Sequence, residues 1–244
     1  MRIDVHWDPA VVEKELDALE ARLRAKGRLD PALATLQELP LPLRLWRQEA
    51  DGEFFVYIED PSNGVFVGCV IFNRLIEVNR RVDRMLRSPH ARLRPHYQRR
   101  GLAAQIYRRE LQAGYCLLSG ARQSPGAHAL WQSLARQNEN GYVQVADKHL
   151  HGLPAQPDPE VMDQRQTRRL LCGRGWSIER LLQLSSGHGQ HHHAQGAHNH
   201  PAGPRRTQPG QSSAHRRIAQ TAHAPLRAEA RSQVAIAARV KRHD

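Results

Sequence analysis

The stretch Leu93-Arg-Pro-His-Tyr-Gln-Arg-Arg-Gly-Leu-Ala103 constrains this chain more than any other. A short apolar run, Ala91 to Leu93, ends at Pro95. Basic residues and Gly101 follow, and then a helical pattern, Leu102-Ala-Ala-Gln-Ile-Tyr-Arg-Arg-Glu-Leu111. A strand that turns through a glycine into a helix leaves several backbone N–H groups pointing at one spot. The helix N-terminus adds partial positive charge there, and Arg99 and Arg100 add full charges, so the stretch is a phosphate site by construction. Tyr115-Cys-Leu-Leu-Ser119 reads as a short buried strand after that helix. Strand, helix and strand in close succession make a crossover unit, which places ligands at the helix start.

The flanks read as follows. Asp8-Pro9 is an N-cap followed by a first-turn proline, and Val12, Leu16, Leu19 and Leu23 mark one apolar helix face that closes near Gly27. That face packs on the chain's own sheet, with dimerisation as the alternative. Asp30-Pro31 starts a shorter helix, Ala32 to Leu39, ended by Pro40 and Pro42. Three strands follow: Leu43 to Trp46, Glu53 to Ile58 and Val65 to Phe72, separated by Ala50-Asp-Gly52 and Asp60-Pro-Ser-Asn-Gly64. Residues 73–90 have mixed periodicity, and Ser88-Pro-His90 breaks any helix there. After the crossover unit, Ser124-Pro125 caps a helix to about Gln137, Tyr142-Val-Gln-Val145 is a strand that can pair with Lys148 to Leu150, Asp158-Pro159 starts a helix towards Leu171, and Ser177 caps a short helix over Ile178 to Leu182.

With Pro95 and Tyr97 before it, the spacing Gln98-x-x-Gly101-x-Ala103 resembles the pyrophosphate loop of the GNAT acyltransferases, Q/R-x-x-G-x-G/A. The order of elements over roughly residues 43–146 is also similar to that family's core. The resemblance implies a mixed α/β (α+β) fold, a mostly antiparallel sheet flanked by helices. It implies acetyl-CoA as cosubstrate and an amine as acceptor, with no metal required. The backbone amides of Arg99, Arg100, Gly101, Leu102 and Ala103 would hold the pyrophosphate, with Gln98 opening the motif. Leu93 and Arg94 sit where the family's strand backbone pairs with the pantetheine arm. Ser124 is the nearest residue to the family's CoA-contacting asparagine.

The chemistry the resemblance implies is direct attack of a neutral amine on the thioester, which needs a base for the ammonium and a proton donor for the leaving thiolate. Trp131 occupies the apparent position of the family's acidic tyrosine, and an indole N–H cannot act as a general acid near neutral pH. Tyr142, Ser119 and Ser124 are the alternatives. For the base, Glu77, Asp83 and His90 precede the motif, and His90 titrates in the useful range. Tyr97, Tyr107 and Trp131 read as core rather than as adenine-stacking residues.

Composition divides the chain. The formal net charge is +12, of which residues 181–244 hold +7, with nine Lys/Arg against Glu229 and Asp244. That charge fits an anionic partner and keeps a rival reading open, a nucleic-acid-binding protein contacting phosphates through the tail and Arg80, Arg81, Arg84, Arg87, Arg99 and Arg100. A third reading is a catalytically inactive acyl-CoA-binding module. Residues 185–244 contain no Phe, Tyr or Trp and read as a disordered tail, or as a frame-shifted extension. The histidines from His188 to His200 in that tail form an adventitious metal-binding tract rather than a site. The domain division is then an N-terminal helical segment (1–42), a core (43–150), a helical extension (151–184) and the tail (185–244). The scattered cysteines, Cys69, Cys116 and Cys172, argue against a disulfide framework or a zinc knuckle. The N-terminus has no apolar signal core, and no apolar run approaches the roughly 20 residues a membrane span needs, so the expected location is the cytoplasm.

Overall fold

The computed structural model describes residues 1–30 and 42–187. The expected helix from Ala32 to Leu39, and the tail with its histidine tract from His188 onwards, lie outside the described residues, whereas Ser185 and Ser186, expected in the disordered tail, close the last helix and Ser185 is buried. Helix α1 (Pro9–Ala25) begins where Asp8 Oδ1 accepts the Ala10 N–H at 2.9 Å, and it buries Val12, Leu16 and Leu23. A meander follows: β1 (Arg44–Ala50), β2 (Glu53–Asp60) and β3 (Val65–Asn73). Asp60 shapes the second turn by accepting the backbone N–H groups of Ser62 and Asn63. The one-turn helix α2 (Arg80–Asp83) then leads into β4 (Leu86–Leu93). Next come α3 (Leu102–Gln112), β5 (Cys116–Leu118), α4 (Pro125–Ala135), β6 (Asn140–Ala146), β7 (His149–Gly152), α5 (Pro159–Asp163), β8 (Thr167–Leu171) and α6 (Ile178–Ser186).

The eight strands form one sheet in the order β1-β2-β3-β4-β5-β8-β6-β7. All described pairings are antiparallel except β4 with β5. The mixed, mostly antiparallel sheet flanked by helices is therefore the fold expected from the sequence. One core unites Phe54, Val56, Val70 and Phe72 with Tyr107 and Leu111 of α3 and Trp131 and Leu134 of α4. A second core, of Leu86, Cys116, Val143, Leu170 and Leu181, lies under α6. Alternation along each strand separates the two faces, so the sheet has α3 and α4 on one side.

One expectation needs correction. The segment from Asp158 is helical only to Asp163, and Thr167–Leu171 is a strand inserted between β5 and β6. Residues 151–184 are thus not a helical extension, since they supply an interior strand of the sheet. Burial of Thr167, Leu170 and Leu171 between two neighbours outweighs a local sequence that carries Arg168 and Arg169. No helix runs through Ser88-Pro-His90, as expected, and Pro89 lies inside β4. A proline fits a strand interior only where its missing N–H is not needed.

Candidate functional site

β4 pairs with β3 from Asn73↔Ser88 to Gly68↔Leu93, but with β5 only at Leu86↔Cys116 and Arg87↔Leu117. Beyond Arg87 the two parallel strands part. The backbone directions follow from two bonds. Arg94 N–H donates to Val67 C=O at 2.9 Å, so Arg94 faces β3, whereas Met85 C=O accepts from Cys116 N–H at 2.8 Å, so Met85 faces β5. Counting alternate residues from either bond puts the main-chain groups of Pro89, Ala91 and Leu93 on the β5 side, where no strand is paired with them. Pro89 is tolerated because its missing donor faces this opening. Gly68 makes the opposite edge tight, since a Cβ there would lie 2.1 Å from Arg92 C=O.

The open edge runs straight into the loop that heads α3. Three ties hold that loop. Tyr97 Oη donates to Asp60 Oδ2 at 2.8 Å, Gln98 Nε2 donates to Leu93 C=O at 2.9 Å, and the Arg94 guanidinium binds Phe66 C=O and the α1 carboxylates of Glu13 and Asp17. Arg94 therefore fastens α1 to the sheet and turns its own N–H to β3, so the strand positions that face the opening are Ala91 and Leu93. Gln98 likewise acts as a clamp within the loop.

Arg99 and Gly101 both adopt left-handed backbone, at φ 61° and 78°. For Arg99 this is a strained state, of the kind that collects at functional sites. No side chain caps α3, which leaves its first-turn N–H groups, those of Leu102, Ala103 and Ala104, without intrahelical acceptors. A Cβ on Gly101 would meet nothing within 4 Å, so the space in front of these donors is open. Arg100 lies against His96 and the Tyr97 ring, at the rim of that space. Backbone donors and the positive end of a helix dipole thus meet at the exposed turn from Arg99 to Gly101, with the Arg100 guanidinium beside it.

The proton-transfer candidates fall on both faces of the sheet. On the α4 face, Tyr142 Oη accepts from Arg169 Nη2, and that guanidinium lies 4.8 Å from the Tyr142 ring. β8 separates the Tyr142 strand from β5. His128, in the first turn of α4, was not singled out by the sequence. Burial, and then the charge of Arg169, hold its imidazole below the ordinary histidine range, and its Nδ1 is buried without a partner, as is Arg169 Nε. Its signal in the sequence was only a histidine one turn after the Ser124-Pro125 cap. Ser124 Oγ accepts from Ala127 N–H at 3.2 Å, so that hydroxyl serves as the cap of α4. Ser119 Oγ accepts the Arg169 N–H at 2.9 Å.

His90 lies on β4 with its side chain on the opposite face, the one that carries Arg92 against Trp7 at 3.7 Å. Glu77 approaches Arg168 at 3.8 Å and lines an open depression of about 420 Å³ with Val145, Lys148 and Gln166. Asp83 is buried and accepts from Leu75 N–H and the Arg74 guanidinium, a structural role. The N-terminal segment also reaches this region. Arg2 N–H donates to Ala121 C=O at 2.7 Å, and the Met1 side chain is buried near Ser119 and Gln123. With Trp7 on Arg92, the segment crosses from the loop after β5 to β4, on the face away from α3 and α4.

Trp131 is buried in the core, edge-on to Tyr107 with ring centroids 6.2 Å apart. It fills the space under α4 and does not reach the opening. Tyr107 is buried with it, and the Tyr97 hydroxyl is held by Asp60, so all three aromatics are packing groups. Among the described residues no helix is long and apolar enough to cross a membrane, and no cluster of three metal-ligating side chains occurs.

No protein-family model matches the chain, and no curated protein matches it. Solved structures found to be similar include a GNAT superfamily phosphinothricin acetyltransferase from Sinorhizobium meliloti in complex with AcCoA. It is 15% identical over 70% of this chain and 88% of that one, with a TM-score of 0.33. Mutant forms of the spermidine/spermine N-acetyltransferase SpeG from Vibrio cholerae are 16% identical over 64% of this chain and 71% of theirs, with a TM-score of 0.28. Similarity this low leaves function to be read from the opening between β4 and β5 and the loop beside it.

Proposed function

We propose that this chain is an acyl-CoA-dependent N-acyltransferase that moves an acetyl group from acetyl-CoA to a primary amine by direct attack. One observation carries the proposal: the edge of β4 at Ala91 and at the Leu93 N–H, which no strand pairs on the β5 side, leads into the N-terminus of α3 at Gly101, which no side chain caps. A CoA thioester is an extended chain of amides ending in a diphosphate. Its pantetheine amides suit the free strand edge as a short added strand, and its diphosphate suits the N–H groups of Arg100 to Ala103. Arg99 and Arg100 add charge at the rim, secondary to the backbone.

The amine nitrogen forms a bond to the acyl carbon as the carbon–sulfur bond breaks, and the electron pair leaves with sulfur. The proton released by nitrogen ends on the thiolate, giving an amide and free CoA. An amine arriving on the face of His90 and Glu77 would meet the two candidate bases. A thiolate leaving on the α4 face would meet Tyr142, whose phenol is held by Arg169, with neutral His128 beside it.

Titration calorimetry with acetyl-CoA, followed by thiol release against a panel of amines, tests this reading. The native chain should bind saturably and release CoA thiol with at least one amine, and Gly101→Glu should lose binding while remaining folded. Undiminished affinity in Gly101→Glu would refute the site.

A further inference from the structure

Cys116 and Cys172 are far apart in the chain, yet the insertion of β8 beside β5 makes them direct neighbours. The antiparallel register Leu117↔Leu171 and Leu118↔Leu170 sets Cys116 opposite Cys172 one step further on. Ser119 N–H donates to Arg169 C=O at 2.9 Å, so odd-numbered residues of β5 bond to β8 and Cys116 belongs to a non-hydrogen-bonded pair. Two further bonds agree: Cys116 N–H goes to Met85 C=O and Cys172 N–H to Glu139 C=O, each at 2.8 Å and each away from the other cysteine. Such pairs have Cα atoms about 4.5 Å apart, inside the range of about 4.4–6.8 Å found for disulfides. Both side chains lie in the same core under α6.

The two sulfurs are not equivalent. Cys116 Sγ accepts the Gly173 N–H at 3.3 Å. The Cys172 hydrogen bond draws the Cys116 thiol below its ordinary range against the opposing effect of burial, while Cys172 is raised. Cys69 has no such help, and burial pushes its thiol up to about 12. We infer that Cys116 and Cys172 are a redox modification site that closes to a reversible disulfide under hydrogen peroxide, with Cys116 as the attacking thiol.

Cys116 is fully buried and Cys172 is 4% exposed, which keeps bulky thiol reagents out. Peroxide is small and neutral. β5 is paired over only two positions with each neighbour, so local opening there is the route of entry. The Cys116 thiolate attacks a peroxide oxygen, forming a sulfur–oxygen bond and breaking the oxygen–oxygen bond. Hydroxide leaves and takes up the thiol proton as water. Cys172 then attacks the sulfenic sulfur, the sulfur–oxygen bond breaks, and a second water leaves. Two thiols are oxidised and one peroxide is reduced, and a dithiol reductant reverses the reaction.

The full-length native chain is treated with hydrogen peroxide and analysed by intact mass and peptide mapping. The expected result is loss of two hydrogen atoms, a single Cys116–Cys172 cross-link, and recovery of both thiols with dithiothreitol. Cys69→Ser, which leaves the pair in place, should form the same cross-link. In Cys172→Ser, treated with peroxide while folded and then unfolded in the presence of a dimedone-type probe, a sulfenic acid should be trapped at Cys116, whereas Cys116→Ser handled the same way should leave Cys172 unlabelled. Three intact thiols in the native chain, under peroxide that oxidises the unfolded chain, would overturn the inference, and so would a cross-link through Cys69.

Discussion

The two ends of the sheet are built differently. From β1 to β4 the strands are seven to nine residues long, and each neighbour is paired over most of its length. Around β5 the strand is three residues long, and its ladders with β4 and β8 have two rungs each. The first block is a meander whose tight turns set the register locally. The second is closed by β8, which arrives late in the chain to fill the place between β5 and β6. The seam between the blocks is where main-chain donors are left over, and the α3 N-terminus stands at its mouth. Strong pairing on one side and short pairing on the other is what lets a sheet offer an edge from its interior without losing its core.

The comparison breaks first if the core is not common to both blocks. Trp131 lies between α4 and Tyr107 of α3, and Trp131→Ala should cost about 3–5 kcal/mol by urea unfolding. A near-neutral result would mean that α4 is not packed where described. At the seam itself, Gly101→Glu forces a left-handed position onto a side chain and places a carboxylate among the anion-binding amides. Acetyl-CoA affinity should fall at least about a hundredfold, about 2.7 kcal/mol. A finer comparison sets two prolines one residue apart. Ala91→Pro removes an N–H that faces the opening and should leave the fold while weakening acetyl-CoA about tenfold, about 1.4 kcal/mol. Arg92→Pro removes an N–H that faces β3 and should destabilise the sheet. Equal effects of the two on stability would contradict the assignment of strand faces.

The smallest effect concerns the tie between the loop and the meander. Tyr97→Phe deletes the bond to Asp60 and should cost about 1 kcal/mol at neutral pH. The Asn63 side chain, and then the Tyr97 hydroxyl, hold the Asp60 carboxyl below the usual carboxylate range. A depressed folded pKa contributes its full stability above the unfolded value of about 3.9 and loses it as pH falls through the folded value. The gap in melting temperature between native and variant should therefore narrow in acid. A gap that widens below pH 4 would assign the tie to another group.

Much of this architecture was legible because it is local. The Asp8-Pro9 and Ser124-Pro125 caps, the two turns of the meander and the Leu93–Ala103 loop each declare themselves within a few residues. What stayed hidden depends on distant partners. Thr167–Leu171 reads as the continuation of a helix until β5 and β6 are seen on either side of it. Pro89 rules out a helix in the sequence, but the sequence does not say that its nitrogen faces an opening in the sheet. Arg94 reads as a ligand contact because Glu13 and Asp17 lie far back in α1. The loop proposed to bind the diphosphate was visible for the same reason as the caps. Tyr142 was a candidate from the sequence, but its neighbours were not legible, because Tyr142, His128 and Arg169 meet only after three separate segments are brought onto one face. The same insertion of β8 joins Cys116 to Cys172, which spacing alone had set apart.

Backbone amide hydrogen exchange with and without acetyl-CoA tests the central claim most directly. The account predicts that acetyl-CoA slows exchange at Ala91 and Leu93 on β4 and at Leu102, Ala103 and Ala104 at the head of α3, with little change at Arg92, whose N–H is already bonded to β3. Acetyl-CoA that binds without protecting those amides, or that protects only surface arginine-rich segments elsewhere, would contradict it.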